Sequence, residues 1–307
     1  MKFGEVGGII AAASKKDAVP LLQIGSISII KRIVLILQRA GVFPIVVVTG
    51  TDEVEVTHQL ASLGVIFLRH EQCDAPELFS SVKLGLSYLK DKCEKVVFTP
   101  VNTPMFSPET LKELLAHEGR VVRPSCLGKG GHPVVIDNNV IPEILSYTGD
   151  DGLRGAIRTI GGECRVEVDD EGVLMSIHDQ EQLNNHLKKH NHSMLNPRIK
   201  ISIEKESVIF EHRLKLLLLL IADMQSVKRA CKMTGLAYGN AWIMLNRLEQ
   251  EVGYTIIERK HGGSRGGHTI LTEKGRELIQ AYQLFEMKMR QCSQEAFDEF
   301  FKKKGLM

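Results

Sequence analysis

Apolar runs alternate with amphipathic stretches through the first part of the chain. Four runs rich in Val and Ile have the length of buried parallel strands, at positions 6–13, 45–50, 65–68 and 95–100. The stretches around them repeat apolar residues every three or four positions, which predicts helices over 28–39, 52–63, 76–89 and 107–117. Strands and helices at this spacing form right-handed βαβ units, so the sequence predicts a doubly wound, Rossmann-like α/β sheet. Ligands of such sheets bind beyond the carboxyl ends of the strands.

Two short amphipathic stretches nearer the C-terminus predict a pair of helices. Ser226 is a suitable N-cap for the first helix, and Gly235 ends it where a left-handed residue is needed. The second helix is predicted over 238–252, with alanine and leucine on one side and polar and aromatic residues on the other. Two helices joined by a tight turn favour a helix-turn-helix, whose second helix lies in a DNA groove.

A β-hairpin is predicted directly after this helix pair. Segments 255–260 and 268–272 alternate apolar and polar residues as strands do, and the tip between them is basic and rich in glycine. Arg259, Lys260 and Arg265 stand at the end of this hairpin. Such a basic tip suits contacts with phosphates or with the minor groove.

Further elements flank the helix pair and the hairpin. Alternation over 198–210 predicts a strand that leads into a helix at 211–223, whose leucine run is too short to cross a bilayer. We expect no membrane association. A last helix is predicted over 271–304, with a long apolar stripe of Leu278, Tyr282, Phe285, Met289, Phe297, Phe300 and Phe301. The stripe predicts a homodimer interface, and packing on the chain's own first domain is the alternative.

Length and charge indicate two different modules. The chain of 307 residues is 43% hydrophobic and 25% charged, which is typical of globular domains. We predict a first domain over 1–190, a polar linker over 191–197 and a second domain over 198–307. From residue 198 onward 19 Lys and Arg stand against 13 Asp and Glu, whereas the rest has 20 against 24. A basic module joined to an acidic one favours a polyanion binder.

Cysteine usage and the N-terminus predict the cellular compartment. The six cysteines lie far apart with no CxxC pair, which disfavours a zinc site or a disulfide framework and favours a reducing environment. Glu5 and two glycines interrupt the first apolar stretch, so it is not typical of a signal peptide. We therefore expect a cytoplasmic protein.

The order of elements from about residue 198 to 285 resembles a known family. Helix, turn, helix, Leu-Glu, a Gly-Gly hairpin and LTEKG follow one another as in the LysR-type winged helix. With Trp242 and the GGSRGGH tip, the segment most resembles the N-terminal domain of molybdate-responsive ModE-type regulators. The resemblance implies a homodimer that binds an operator in double-stranded DNA. The expected DNA-binding residues are Ser226, Lys228, Tyr238, Asn240, Trp242, Asn246, Arg247, Arg259, Lys260 and Arg265.

Among these residues, different contacts are expected. Tyr238, Asn240 and Asn246 are expected at base edges. The basic residues at the end of the second helix and on the hairpin are expected at backbone phosphates. In the alternative interpretation the winged helix serves only protein contacts.

A second resemblance covers about residues 6–183. The segments ELFSSVKLGL, VVFTPVNTP, RPSCLGKGGHPVVID and GDDGLRGAI occur in the order found in MobA-like nucleotidyltransferases. That family transfers a nucleotide from an NTP onto the pterin of the molybdenum cofactor. The resemblance implies the same fold and a ligand-binding cleft lined by Ala11, Ala12, Ala13, Ser14, Lys15, Lys16, Ser80, Ser81, Asn102 and His132.

The catalytic parts of that family are replaced in this sequence. Ala13 stands where an active member has a loop glycine, which lets backbone amides approach phosphate closely. Asn102 and His178 stand at the positions of two metal-binding aspartates. Because Mg²⁺ prefers carboxylates, we expect no metal site and no catalytic residues.

Plainer interpretations of the same residues stay open. Asn102 suits a turn, His178 suits a surface, and His132 suits a structural turn as well as a base or pterin contact. Nearby carboxylates offer a way to rebuild a metal site, namely Glu167, Asp169, Asp170 and Asp179. The histidines of the linker region are expected to be solvated surface residues, namely His186, His190 and His192.

Two functions are consistent with the whole sequence. The first is a transcriptional regulator of molybdenum or molybdenum-cofactor metabolism, in which the degenerate nucleotidyltransferase-like domain senses a ligand or has a structural role. No cofactor is certain, and the effector is a nucleotide, a pterin or molybdate. The alternative is an active cytidylyl- or guanylyltransferase fused to a regulatory DNA-binding domain. A domain that is only a scaffold is the third interpretation.

Overall fold

The computed structural model describes residues 2–13, 20–71, 78–177, 197, 199–260 and 268–304. The chain divides into two compact units, the first built from residues 2–60 and 65–194 and the second mainly from residues 195–307. The division falls within the predicted linker 191–197, which lies outside the described residues apart from Pro197. Within the described ranges, no helix is long and apolar enough to cross a bilayer.

The first unit alternates strands and helices in the predicted manner. Its described strands are β1 (Val6–Ala12), β2 (Gln23–Ile24), β3 (Ile27–Ser28), β4 (Ile45–Thr49), β5 (Ile66–Arg69), β6 (Lys95–Pro100), β7 (Val121–Cys126), β8 (Lys129–Gly130), β9 (Val134–Asp137) and β10 (Glu163–Glu167). Its described α-helices are α1 (Ile29–Arg39), α2 (Glu53–Leu60), α3 (Leu78–Leu89), α4 (Pro108–Ala116), α5 (Ile141–Ser146) and α6 (Gly152–Ile160). Helix α4 begins as predicted, because the Ser107 hydroxyl accepts a hydrogen bond from the Thr110 amide at 3.0 Å.

One mixed sheet organises this unit. Its strand order is β10-β7-β9-β6-β1-β4-β5, with β8 paired to β7. Strand β1 pairs in parallel with β4 on one side and with β6 on the other. Successive strands are therefore added first on one side of β1 and then on the other. In such a sheet a crevice lies beyond the carboxyl ends of the two strands at this point, β1 and β6. The doubly wound α/β fold predicted from the sequence is confirmed.

The sheet is not parallel throughout. Strand β9 runs antiparallel to both β6 and β7 and separates them. The sequence pattern predicted the parallel strands but not this antiparallel one. A short apolar run reads the same in either direction, and only the pairing of distant strands decides which direction it takes.

The second unit combines short strands with longer helices. Its described elements are β11 (Ser202–Glu204), β12 (Val208–Glu211), α7 (His212–Met224), α8 (Val227–Thr234), α9 (Tyr238–Val252), β13 (Ile257–Lys260), β14 (His268–Leu271) and α10 (Glu273–Phe297), with a π-helical turn at Asp298–Lys302. Helix α9 has the predicted bounds. Helix α7 carries the leucine run, and its residues from Leu214 to Ile221 are buried.

The strand predicted over 198–210 is wrong in one respect. The segment forms an antiparallel hairpin of β11 and β12, with Ser202 opposite Glu211 and Ile203 opposite Phe210. The Lys205 amide donates to the Ser207 carbonyl at 3.3 Å across the turn. Alternating isoleucines hid this turn, because a two-residue period continues on both sides of a short charged bend.

The buried face of helix α10 is narrower than the apolar stripe that its sequence shows. Gly275, Ile279, Tyr282 and Glu286 are the buried residues that the helix contributes. The Tyr282 hydroxyl donates to the Ile201 carbonyl at 2.7 Å, which joins the helix to the start of the β11 hairpin. Most of the large apolar residues farther along the helix are exposed in the single chain, namely Leu284, Phe285, Met287, Met289, Phe300 and Phe301.

A buried ionic cluster fastens α10 to α7. The Glu286 carboxylate accepts hydrogen bonds from Lys215 and is 3.4 Å from His212 Nδ1. Although burial alone would raise the pKa of Glu286, the His212 hydrogen bond and the Lys215 charge lower it to about 2. Burial lowers the pKa of Lys215, and the negative charge of Glu286 acts in the opposite direction. The Glu286 carboxylate is therefore ionised at neutral pH and pairs with a buried lysine.

Glu286→Gln is expected to destabilise the second unit by about 3 kcal/mol at pH 7, because Lys215 stays buried without its counter-ion. The folded pKa of Glu286 lies below its ordinary value of 4.5, so its contribution is present above that value and is lost as the pH falls toward 2. The difference between wild type and variant should shrink over that range. Urea unfolding followed by the fluorescence of Trp242, the single tryptophan, reports on this unit.

Glu277→Gln is the matched control, since Glu277 is exposed on the same helix. It is expected to leave the urea midpoint within about 0.5 kcal/mol of wild type. Equal midpoints for Glu286→Gln and wild type at pH 7 would show that the cluster contributes nothing to stability.

Candidate functional site

Helices α8 and α9 are held in a fixed arrangement by their caps and their shared core. The Ser226 hydroxyl accepts a hydrogen bond from the Arg229 amide at 3.3 Å, so it caps α8 as predicted. Gly235 ends α8 with a φ of +64°, a conformation that favours glycine. On α9, Ala241, Leu245 and Leu248 are buried, as the pattern predicted. The opposite face of α9 is consequently turned outward.

That outward face carries the side chains predicted to meet DNA bases. Tyr238 is 52% exposed, and Asn240 and Asn246 are exposed as well. Trp242 and Arg247 are half-buried. Ile243, which sequence analysis did not single out, is 67% exposed on the same face. An exposed isoleucine among polar residues offers the apolar contact that a thymine methyl group accepts.

An aromatic and cationic cluster connects this face to the hairpin. The Arg259 guanidinium on β13 lies over the Trp242 ring, 3.9 Å from its centroid. The Tyr238 ring meets the Trp242 ring edge-on at 6.0 Å. Arg259 Nη2 also donates to Asn246 Oδ1 at 3.5 Å. The structure thus places Arg259 against α9, where it contacts Trp242 and Asn246.

The hairpin is anchored at its base by Glu249 of α9. Glu249 Oε1 accepts hydrogen bonds from the amides of Ile256 at 2.7 Å and Ile257 at 3.0 Å. On the returning strand, the Thr269 amide donates to the Gln225 carbonyl at 2.9 Å. Sequence analysis noted the Leu-Glu pair only as a motif and missed this role. A carboxylate one turn before a helix end, followed by a strand, was the signal that could have revealed it.

The LTEKG motif closes the same region. The Thr272 hydroxyl accepts from the Gly275 amide at 3.0 Å and caps α10. A Cβ on Gly275 would lie 2.6 Å from the Ile256 carbonyl oxygen, so this position requires glycine. The motif therefore lets α10 start directly against β13.

The remaining basic residues predicted to bind DNA are only partly placed. Lys228 is exposed on α8. Lys260 is the last residue of β13, opposite His268. The hairpin tip 261–267, with Arg265, lies outside the described residues.

A second candidate site is the crevice beyond β1 and β6. Ala11 and Ala12 are buried in β1, where the Ala11 carbonyl accepts from the Val101 amide at 3.0 Å. Ala13 follows at the strand end, and a Cβ on Gly50 would lie 2.8 Å from its carbonyl oxygen. The next predicted loop residues, Ser14, Lys15 and Lys16, lie outside the described residues.

Asn102 lies at the end of this crevice and is buried. Its Nδ2 donates to Ser176 Oγ at 2.8 Å, and its carbonyl accepts from the Ile177 amide at 2.7 Å. Asn102 is therefore next to the residue that precedes His178, which itself lies outside the described residues. Asn102 is one of the two positions expected to hold metal-binding aspartates from the family resemblance, and it offers an amide.

Among the carboxylates named as able to rebuild a metal site, Asp170 is engaged in structural contacts, whereas Glu167 and Asp169 are exposed. Asp170 accepts from the Ser107 amide at 2.8 Å, the Thr110 hydroxyl at 2.6 Å and the Gly172 amide at 2.9 Å. It thereby secures the start of α4. Over the described residues, no three His, Cys, Asp or Glu side chains gather where they could hold a metal ion.

The other predicted crevice residues have contrasting environments. His132 donates its backbone amide to the Val173 carbonyl at 2.9 Å, and its ring packs edge-on to Phe98 at 5.7 Å. Burial lowers the pKa of His132 to about 4, with a smaller effect from the Arg123 charge. The ring is thus neutral at pH 7. Ser81 is fully buried on α3 and its hydroxyl has no hydrogen-bond partner among the described atoms, whereas Ser80 is half-buried.

Two parts of the chain are similar to different known proteins. Residues 18–166 match the MobA-like NTP transferase domain. In fold, the chain is similar to Rv0371c from Mycobacterium tuberculosis H37Rv, with a TM-score of 0.53 and 16% identity over 61% of this chain and 100% of that one. It is also similar to a nucleotidyl transferase from Methanothermobacter, with a TM-score of 0.52 and 20% identity over 62% of this chain and 97% of that one.

A separate likeness is to transcriptional regulators. The DNA-binding transcriptional dual regulator ModE of Escherichia coli K12 is 37% identical over 78 residues, which is 25% of this chain and 28% of that protein. The transcriptional regulator ModE of Haemophilus influenzae is 31% identical over 94 residues, 30% of this chain and 37% of that protein. The chain thus spans little more than a quarter to a third of the length of these relatives. Both resemblances inferred from the sequence are confirmed.

Proposed function

We propose that the protein is a DNA-binding transcriptional regulator that acts in the cytoplasm, with a helix-turn-helix and wing in its second unit as the reading module. The observation that carries the proposal is the outward face of α9, where Tyr238, Asn240 and Asn246 stand exposed beside a hairpin anchored to the same helix. The relatives named ModE are transcriptional regulators, and one is named as DNA-binding. This likeness supports a role in molybdenum or molybdenum-cofactor metabolism.

Specific residues have distinct parts in this proposal. Asparagine amides suit bidentate contacts with adenine, so Asn240 contacts a base edge directly. Asn246 is held by Arg259 and presents its remaining hydrogen-bonding groups to the groove. Arg247 and Lys228 bind phosphates. Arg259 acts mainly by fixing Trp242, because its guanidinium already lies on that ring.

The proposal includes a two-fold dimer formed through α10. The exposed Phe285 and Met289 lie four residues apart on one face of the helix and are not among its buried residues. Exposed aromatic and thioether side chains at this spacing are typical of a helix-helix interface. A dimer would present two reading helices to a palindromic operator, about one helical turn of DNA or a multiple apart.

The first unit, in this proposal, has lost nucleotidyl transfer and serves as a sensing or structural module. An amide at Asn102 is a poor ligand for Mg²⁺, and a histidine follows at position 178. The crevice keeps the topology of a ligand site, which supports an effector such as a nucleotide, a pterin or molybdate. The same topology favours, as the second candidate, an active cytidylyl- or guanylyltransferase.

Two substitutions on α9 should affect DNA binding differently. Arg247→Ala is expected to weaken binding to all duplexes alike and to lower the slope of log K against log salt by about one, since one phosphate contact is lost. Asn240→Ala is expected to relax the preference at one base pair by ~1–3 kcal/mol. Fluorescence anisotropy with duplexes selected from a random pool measures both effects.

Lys288→Ala serves as the control for these substitutions, because Lys288 is an exposed cation on α10. It should leave both the salt slope and the base preference unchanged. If wild-type protein selects no sequence from the pool and binds duplex DNA no better than Arg247→Ala, the regulator proposal fails.

The loss of catalysis predicts that wild-type protein releases no pyrophosphate from Mg-CTP or Mg-GTP with a molybdopterin acceptor. Asn102→Asp combined with His178→Asp is expected to gain Mn²⁺ binding in isothermal titration, because both positions that the family resemblance assigns to metal-binding aspartates then carry carboxylates. Asn139→Asp, an exposed asparagine of the same unit, is the charge control and should gain none. Turnover by wild type would establish the transferase alternative instead.

The dimer proposal predicts that Phe285→Glu converts the protein to a monomer in sedimentation equilibrium, because a charge enters an apolar interface. Leu127→Glu is the matched control, since Leu127 is 78% exposed in the first unit. Unchanged Trp242 fluorescence would show that the second unit stays folded. A wild-type protein that sediments as a monomer at micromolar concentration contradicts the proposal.

A further inference from the structure

A basic cavity lies at the far edge of the first unit's sheet, away from the strands that form the crevice. Its volume is about 560 Å³. The walls come from β7, the turn into β8, helix α6 and the loop into β10. None of the residues expected to line the nucleotide crevice belongs to these walls. Five cationic residues line the cavity, namely Arg123, Lys129, Arg154, Arg158 and Arg165.

Few acidic groups oppose these cations. Glu163 is the acidic residue in the described wall, and its carboxylate is 3.6 Å from Arg123 Nη1 and 2.9 Å from Arg165 Nε. Its charge is therefore shared between two guanidinium groups. Arg158 pairs with Asp151, and both side chains are largely exposed.

Lys129 and Arg154 complete the set of cations. Both are exposed, and neither has an acidic partner within 4 Å among the described residues. Within the part of the chain that the structure describes, no ion pair depends on these two charges. The cavity thus keeps an uncompensated positive charge.

Two backbone carbonyl groups fix the position of the Arg123 side chain. Its Nε donates to the Gly131 carbonyl and its Nη2 to the Gly130 carbonyl, each at 3.1 Å. A Cβ on Gly130 would lie 2.8 Å from the guanidinium, so glycine is what lets the arginine pack flat against the β8 strand. A cation fixed in this way loses little side-chain freedom when an anion binds.

We propose that this cavity binds a small organic phosphate. Guanidinium groups match the oxygen geometry of a phosphate through paired hydrogen bonds, and several of them converge here. The volume falls in the range of small-molecule sites. Apart from Ile157, the described lining is charged or glycine, so the ligand is recognised by charge and not by a large apolar body.

A small ligand fits these observations better than a nucleic acid does. Residues 1–197 carry 20 Lys and Arg against 24 Asp and Glu, so the field around this module disfavours a long polyanion. The cations line a concavity and do not form a stripe along a helix or strand. The inference is independent of DNA binding by the second unit.

Isothermal titration at low salt, without divalent metal, tests the proposal with glycerol phosphate and inorganic pyrophosphate as probes. Wild type should bind both. Lys129→Glu with Arg154→Glu should weaken binding at least about tenfold, because two cations become repulsive anions. Both positions are exposed, so the fold should survive, and unchanged circular dichroism would verify it. Arg154→Lys should retain most of the affinity.

Two control variants separate this cavity from other basic surfaces. Lys90→Glu alters an exposed cation elsewhere on the unit and should leave the binding of both probes unchanged. Lys15→Glu with Lys16→Glu alters the predicted crevice loop, and this variant should still bind glycerol phosphate in the cavity. The proposal is overturned if wild type binds neither probe, or if the crevice variant abolishes binding while the cavity variant does not. The proposal is also overturned if the cavity variant no longer binds duplex DNA but still binds both probes.

Discussion

The two hydrogen bonds that Glu249 accepts from the amides of Ile256 and Ile257 are the constraint on which the outward face of α9 and the hairpin depend. Without them the first strand of the hairpin would follow Gly253 with no hydrogen bond from Glu249 to set its direction. With them, β13 begins at a defined angle, and Arg259 reaches the Trp242 ring from the adjacent strand. One carboxylate near the end of a helix thus decides where the side chains of two separate elements meet. Hydrogen bonds to a charged acceptor are strong enough to do this, at about 1.5–3 kcal/mol each.

In the first unit, the fold and its chemistry depend on different residues. Strand β1 needs only small and apolar side chains to pair with β4 and β6, and these are present. Metal-dependent transfer would need carboxylates at loop positions that add nothing to the packing of the sheet. Asn102 instead hydrogen-bonds with the Ser176 hydroxyl and the Ile177 amide. The fold therefore does not by itself establish the chemistry of the crevice.

Charged groups in both units divide into those used by the fold and those left exposed. Asp170 and Glu286 are surrounded by donors, and removing either would leave buried polar groups without partners. Lys129 and Arg154 form no ion pair among the described residues. Exposed charges that stability does not require are the ones available for ligands, which is why a cavity that gathers several of them is informative.

Many of the helix ends in this chain could be predicted from residues that are close together in the sequence. The caps at Ser107 and Ser226, the left-handed Gly235 and the bounds of α9 follow from neighbouring residues alone, because helix ends are settled within one turn. The sequence also indicated the doubly wound sheet. It did not reveal the antiparallel β9, the turn within the β11 hairpin, Arg259 on Trp242, or the basic cavity. Most of these features depend on contacts between segments that are far apart in the sequence, and the turn interrupts a stretch that looks like one strand. The pattern of apolar and polar residues carries no information about which segments become neighbours. Only packing in three dimensions decided them.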